Sequence, residues 1–133
     1  MAEQTTIPEN LHYTKDHEWV RIEGDLAVIG ITDYAQHALG EITYVEPPPD
    51  GKSLKQFAEA GAVESAKAAS DIFAPLSGVV AESNPVLQTE PEKINSDPYG
   101  EGWIYKLKSI QQAELGNLLT AAQYRALLQE PPQ

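Results

Sequence analysis

The sequence predicts an α+β fold that is mainly β, with short helices that include a C-terminal helical segment. Three observations predict it. Short runs rich in β-branched and aromatic residues recur from Leu11 to Leu107, each closed by Gly, Pro, Asn or Asp. The apolar period switches once inside this stretch, at Asp33, to that of a short helix. Beyond Ser109 the composition turns to helix formers. With 133 residues and no linker or low-complexity segment, the chain reads as one domain with a modest core. Residues 1–9 form a polar, flexible lead-in and residues 10–130 a single domain.

Glu18-Trp19-Val20-Arg21-Ile22 is the first strand, stopped by the hairpin-type turn Glu23-Gly24-Asp25. Leu26 to Ile31 is a nearly continuous apolar strand that pairs with it. Asp33-Tyr34-Ala35-Gln36 has the capping-box pattern, predicting Asp33 as N-cap of a helix from Tyr34 to Leu39 with Gly40 at its end. Ile42 to Val45 is a strand halted by Pro47-Pro48-Pro49 and the Asp50-Gly51 turn. Ala62 to Ser65 and Ile72 to Pro75 form a further strand pair, followed by Val79 to Glu82 and, after the turn-rich Asp97–Gly102, by Trp103 to Leu107. Ala113, Leu115 and Leu118-Leu119 predict one short helix. Thr120 and Gln123 form a second capping box, opening a helix that runs to about Glu130. A faint repeat links Gly40–Pro47 to Gly78–Pro85: glycine, a β-rich run, then proline seven residues on. It suits a small barrel or sandwich of two similar halves, although glycine and proline are common enough in β proteins to coincide.

Nine basic residues against twenty acidic ones give a net charge of −11. Such a surface repels nucleic acid and anionic membranes and favours electropositive patches on other proteins. No apolar run approaches the roughly 20 residues of a membrane span. The N-terminus has neither signal-peptide nor transit-peptide character. The expected location is therefore where the chain is made: a bacterial cytoplasm, or an organelle matrix for a mature eukaryotic chain. No long apolar stripe is left over for self-association, so a monomer is expected. There is no cysteine, which removes disulfides, thiolate metal sites and a catalytic thiol together, and would spare a dithiol cofactor from mixed disulfides.

Nothing in the sequence argues for intrinsic catalysis. His17-Glu18 beside Asp16 admits an acid–base pair or part of a metal site. With no two-histidine helical pair, a surface imidazole or a structural hydrogen bond suits His17 better, and no metal site is assigned. Ser65, Ser70 and Ser77 lack a nucleophile elbow, and no phosphate-binding glycine motif is present. Lys67 differs from the other lysines in its setting. Ala66, Ala68 and Ala69 leave its amine without flanking bulk, two strands bracket it, and Glu64 and Asp71 lie three residues before and four after. A narrow hairpin tip bearing a lysine suits a modifying enzyme or a tethered arm, where most surface lysines merely solubilise.

Val63-Glu64-Ser65-Ala66-Lys67-Ala68-Ala69-Ser70-Asp71 closely resembles the lipoylation hairpin of glycine cleavage H proteins. Family-like segments occur in the same order elsewhere: Tyr13-Thr14-Lys15-Asp16-His17-Glu18-Trp19-Val20, Gly30-Ile31-Thr32-Asp33-Tyr34-Ala35-Gln36, Leu39-Gly40-Glu41-Ile42, Ala74-Pro75-Leu76-Ser77-Gly78 and Asn95-Ser96-Asp97-Pro98-Tyr99-Gly100-Glu101-Gly102-Trp103. The resemblance covers roughly residues 10 to 128. It implies a lipoyl-domain-like barrel-sandwich hybrid and a carrier role without catalysis, with lipoate joined as an amide to Lys67. It implies that the arm accepts an aminomethyl group from a pyridoxal-phosphate glycine decarboxylase (the P protein). A tetrahydrofolate-dependent aminomethyltransferase (the T protein) then takes it, and dihydrolipoyl dehydrogenase (the L protein) reoxidises the arm. A lipoyl ligase or transferase would load the chain. An H-like donor relaying lipoate to other complexes is the alternative, whereas the Met-Lys-Met and Asp-Lys-Ala flanks of biotinyl and other lipoyl domains are absent. The family's arm folds back into a cleft, for which Glu18, Asp16 and Asp71 are the candidates here; as carboxylates they suit ordinary solvated positions equally well. The chain departs from the family pattern at Pro47-Pro48-Pro49, at Phe57 (where a turn glycine is common), at Ala60, at Ala66 and at Ala38. These changes cast doubt on the loop from 47 to 60 and on one arm contact.

Overall fold

The computed structural model describes residues 5–129. Among these residues nine strands and three α-helices alternate with short 3₁₀ turns. They are β1 His12–Tyr13, β2 Glu18–Glu23, β3 Leu26–Ile31, α1 Asp33–Leu39, β4 Ile42–Glu46, β5 Ser53–Leu54, β6 Glu59–Ser65, β7 Ala69–Phe73, β8 Gly78–Ser83, α2 Lys93–Ser96, β9 Tyr105–Lys108 and α3 Ala121–Gln129. The strands form two antiparallel sheets, one ordered β1-β2-β3-β9-β8-β5 and one ordered β4-β6-β7.

The two sheets face each other across the main core. Val20, Ala27, Ile29, Ile31, Tyr105 and Leu107 of the large sheet meet Ile42, Val45, Val63 and Ile72 of the small one. The large sheet is covered on its other face as well. There Trp19, Val28, Tyr13 and Tyr124 form a second cluster under α3, with Ile7, Tyr99 and Trp103 at its margin. Burial on both faces explains why β3 reads as an unbroken apolar run and not as an alternation. Trp19 lies flat over Gly30, where any Cβ would come within 2.8 Å of its ring.

Most predicted elements are present, with four changes. The strand predicted from Ile72 to Pro75 runs Ala69–Phe73, because pairing with β6 continues up to the hairpin tip. Thr32, not Asp33, caps α1: its hydroxyl accepts from Ala35 N–H at 3.2 Å, while Asp33 becomes the first helical residue and its carboxylate accepts from the Gln36 amide at 2.7 Å. The short helix predicted from Ala113 to Leu119 is a 3₁₀ stretch, Gln112–Asn117, because Gly116 and Asn117 end it before an α-turn is established. The strand predicted at Trp103 begins two residues later, at Tyr105. The second capping box forms as predicted, with Thr120 and Gln123 exchanging hydrogen bonds of 2.9 and 3.2 Å; the helix end predicted at Glu130 lies outside the described residues. The repeat has a counterpart in backbone irregularity. The pairing of β4 slips between Ile42 and Tyr44, and that of β8 between Val80 and Glu82, so both irregularities fall at the same distance from Gly40 and Gly78.

The lead-in is fastened along residues 6–9. Thr6 N–H donates to Asp33, Tyr99 O–H donates to the Thr6 carbonyl, Tyr13 O–H donates to the Pro8 carbonyl, and Arg125 of α3 pairs with Glu9 at 2.6 Å.

Candidate functional site

Lys67 sits at the tip of the β6–β7 hairpin, three residues wide between Ser65 and Ala69. No glycine and no left-handed residue builds this tip. The serine side chain closes it: Ser65 N–H donates to the Ala68 carbonyl at 2.8 Å, and Ala68 N–H donates to Ser65 Oγ at 3.2 Å. Closure by a short side chain holds the tip narrow, while the alanines leave it bare. Lys67 is exposed and, among the described residues, makes no ion pair. Its stem leans over Gly40 at the C-terminal end of α1, where an added Cβ would sit 3.5 Å from Lys67 Cε.

Beneath that contact is a clamp that sequence reasoning missed. Asn95 of α2 donates to Gln36 Oε1 at 2.8 Å and to the Gly40 carbonyl at 2.9 Å, and accepts from Ile42 N–H at 2.8 Å. One amide thus fixes the end of α1 and the start of β4 beside the lysine. The signal was present in the Asn95-Ser96-Asp97 motif, but a polar residue on a four-residue helix advertises no partner. An open groove of about 560 Å³ adjoins it, lined by Gln36, His37, Gly40, Glu41, Glu92 and Asn95 among others.

The three carboxylates proposed for an arm cleft do not converge. Asp16 lines a groove of about 370 Å³ with Tyr13, Thr14, Phe57 and Leu119. Asp71 lies on the outer face of the small sheet, in a groove of about 470 Å³ with Glu46, Lys52 and Glu59. Glu18 lines neither groove, and the reading of it as a solvated carboxylate is corrected: it is only 2% exposed. It shares the inward parity of Val20 and Ile22 on β2, which the apolar Trp19 on the opposite face disguises in the sequence. Its carboxylate accepts from Thr14 O–H at 2.5 Å and from Phe73 N–H of β7 at 3.1 Å, joining the large sheet to the edge of the small one. Burial pushes its pKa up to about 7, against the lowering effect of those two hydrogen bonds and with a further rise from Asp16.

His17 is held structurally. Its Nδ1 is 2.7 Å from the Tyr124 hydroxyl, which also meets Thr32 Oγ1 at 2.8 Å, and its ring packs on Tyr34. Burial lowers its pKa. Among the described residues no group of three or more His, Asp or Glu side chains is placed to hold a metal.

A β-sandwich that presents a bare lysine on a closed hairpin has the form of a carrier domain, whose chemistry an attached group would supply. The glycine cleavage H-protein family model matches residues 11–131. The chain is 49% identical over 122 residues to the glycine cleavage system H protein of Bacteroides fragilis, covering 92% of this chain and 97% of that one. It is 51% identical over 124 residues to that of Symbiobacterium thermophilum, covering 93% and 97%. The crystal structure of the H protein from Mycobacterium marinum superposes with a TM-score of 0.81 at 38% identity, over 90% of this chain and 97% of that one. The chain belongs to the glycine cleavage H-protein family. It is a lipoyl-carrying shuttle of the glycine cleavage system, a carrier and not an enzyme.

Proposed function

We propose that Lys67 is the residue that carries lipoate, joined as an amide to Nζ. What supports this is one juxtaposition: an exposed, unpaired lysine on a hairpin tip closed by Ser65 and cleared of bulk by three alanines. The residues fit the group. A modifying enzyme can surround the tip without displacing a side chain larger than a methyl, and the anchored base keeps the amine in register. When bound, lipoate would supply a disulfide that is itself reduced in accepting the aminomethyl group and is reoxidised after that group has been removed.

The chain itself supplies anchoring, reach and recognition. Amide formation removes one positive charge, so the arm enters apolar active sites without burying an ammonium. Tethering replaces free diffusion of the cofactor by a local effective concentration of roughly millimolar order at whichever enzyme is docked. The acidic surface, with a net charge of −11 before loading, steers the chain to electropositive partners. We assign these as the pyridoxal-phosphate glycine decarboxylase, the tetrahydrofolate-dependent aminomethyltransferase, dihydrolipoyl dehydrogenase and the lipoyl ligase or transferase.

The test is the intact and peptide mass of the chain after co-expression with a lipoyl ligase and, separately, a biotin ligase. One lipoyl group on the Lys67 peptide and none from the biotin ligase is the expected result. Modification at another lysine, or at none, would overturn the assignment.

A further inference from the structure

β7 is an edge strand, and its open side begins two residues after Lys67. The direction of its backbone groups follows from three hydrogen bonds. Ala74, just past the strand, donates to the Ala58 carbonyl and accepts from Phe57 N–H, so its backbone faces the β6 side. Phe73 N–H points the other way, to Glu18. By the alternation of a strand, Ala69 and Asp71 also face away from β6. Their opposite numbers agree: Ala69 is paired with Glu64, whose carbonyl faces β4 and accepts from Thr43 Oγ1.

The open side is closed at one end only. Glu18 occupies the Phe73 N–H, and the Asp71 carbonyl accepts from the neighbouring Ser70 hydroxyl at 3.2 Å. Among the described residues no hydrogen bond outside the ladder takes the N–H of Ala69 or of Asp71, and all of Ala69–Asp71 is exposed. An edge left unpaired is a template for another strand, and proteins ordinarily blunt such edges. Here the blunting is electrostatic. Asp71 and the exposed Glu64 repel a second copy of a chain with a net charge of −11, and attract a cationic strand.

Resting on the assignment of Lys67 above, we propose that the open edge of β7 at Ala69–Asp71 docks an extended, cationic segment of the enzyme that acylates Lys67. Main-chain pairing there fixes the lysine two residues from the first docked position, roughly 7 Å along the chain at about 3.3 Å per residue. That register serves an enzyme acting on the amine itself. Enzymes acting at the distal end of a long arm have no need of it.

The experiment is residue-resolved amide exchange of the unlipoylated full chain, free and bound to a lipoate–protein ligase held with a non-transferable sulfamoyl analogue of lipoyl adenylate. The amides of Ala69 and Asp71 slow at least tenfold on binding, whereas Ser70 and Ile72, already in the ladder to β6, change little. In parallel, Asp71→Pro removes an outward donor without touching that ladder, and Asp71→Asn removes the charge alone. With thermal unfolding as the fold control, Asp71→Pro lowers kcat/KM of lipoylation tenfold or more, and Asp71→Asn lowers it less. Unchanged exchange at Ala69 and Asp71 in a complex that still lipoylates wild-type Lys67 would overturn the docking edge and leave the lysine assignment standing. Sedimentation showing a dimer of the free chain with both amides already protected would overturn it too, giving the edge to a second copy. If Asp71→Pro fails to fold, the exchange measurement on the wild type decides alone.

Discussion

Glu18 shows how a single buried group sets a pH dependence. Its folded pKa, about 7, lies above the ordinary carboxylate value, so between those limits the folded chain holds a proton that the unfolded chain has released. The stabilisation is full below the ordinary value and is lost as pH rises through 7. Wild-type thermal stability therefore falls between about pH 5 and pH 8. Glu18→Gln keeps the shape and an acceptor for Phe73 N–H, and it removes that slope; the difference between the two melting curves as a function of pH isolates the residue from the repulsion of the other carboxylates. A pH-independent difference would refute the protonation of Glu18 as the cause. Tyr105 presents the opposite case, a buried hydroxyl with no hydrogen-bond partner among the described residues. Leaving a buried donor unmade is unfavourable, so Tyr105→Phe is expected to stabilise the chain by about 1 kcal/mol, read from urea unfolding. Phe57 adds strain of a third kind, with φ +69° for a bulky side chain that is half exposed. A glycine, which the resemblance leads one to expect at this position, would adopt that φ without the steric cost.

The elements near the lysine depend on small fittings more than on propensity. Thr32 both caps α1 and meets the Tyr124 hydroxyl, so Thr32→Ala is expected to cost about 1 to 2 kcal/mol of stability in denaturant unfolding. Gly61 of β6 faces the Glu46 carbonyl so closely that any Cβ would strike it, and Gly61→Ala should cost about 2 to 3 kcal/mol by the same measurement. These fittings also mark the limit of legibility. Strand cores such as Leu26–Ile31 and the Thr120–Gln123 box were readable because local pattern and final structure agree. The two-residue strands β1 and β5 and the four-residue α2 were not, since each is held by a partner distant in sequence: Tyr13 bridges to Leu119, Ser53 pairs with Val79, and Asn95 of α2 bonds to Gln36 and Gly40. Asp33 was mistaken for the cap because its spacing to Gln36 mimics a capping box from inside the helix. The hairpin-tip position of Lys67 was legible through its small neighbours and the strand residues on either side. Glu18 was misread because a sheet buried on both faces hides the parity of its one inward carboxylate.

Taken whole, the molecule separates stability from delivery. The core lies between the sheets and under α3, and the second cluster is completed by the fastened N-terminal segment. Lys67 stands at the β6–β7 tip, exposed, with its stem passing over the Gly40 backbone. A side chain so placed contributes little to folding, within about 0.5 kcal/mol. Lys67→Arg preserves the charge and the contact with Gly40 but replaces the primary amine by a guanidinium, which forms no lipoyl amide under the same enzymes. The variant should unfold at the same denaturant midpoint as the wild type, carry no lipoyl mass, and support no aminomethyl transfer when combined with the glycine decarboxylase and the aminomethyltransferase. The pairing of results is what discriminates. Loss of transfer together with a shifted midpoint would place Lys67 in the fold, and near-normal transfer at an unchanged midpoint would move the carrier role to another lysine.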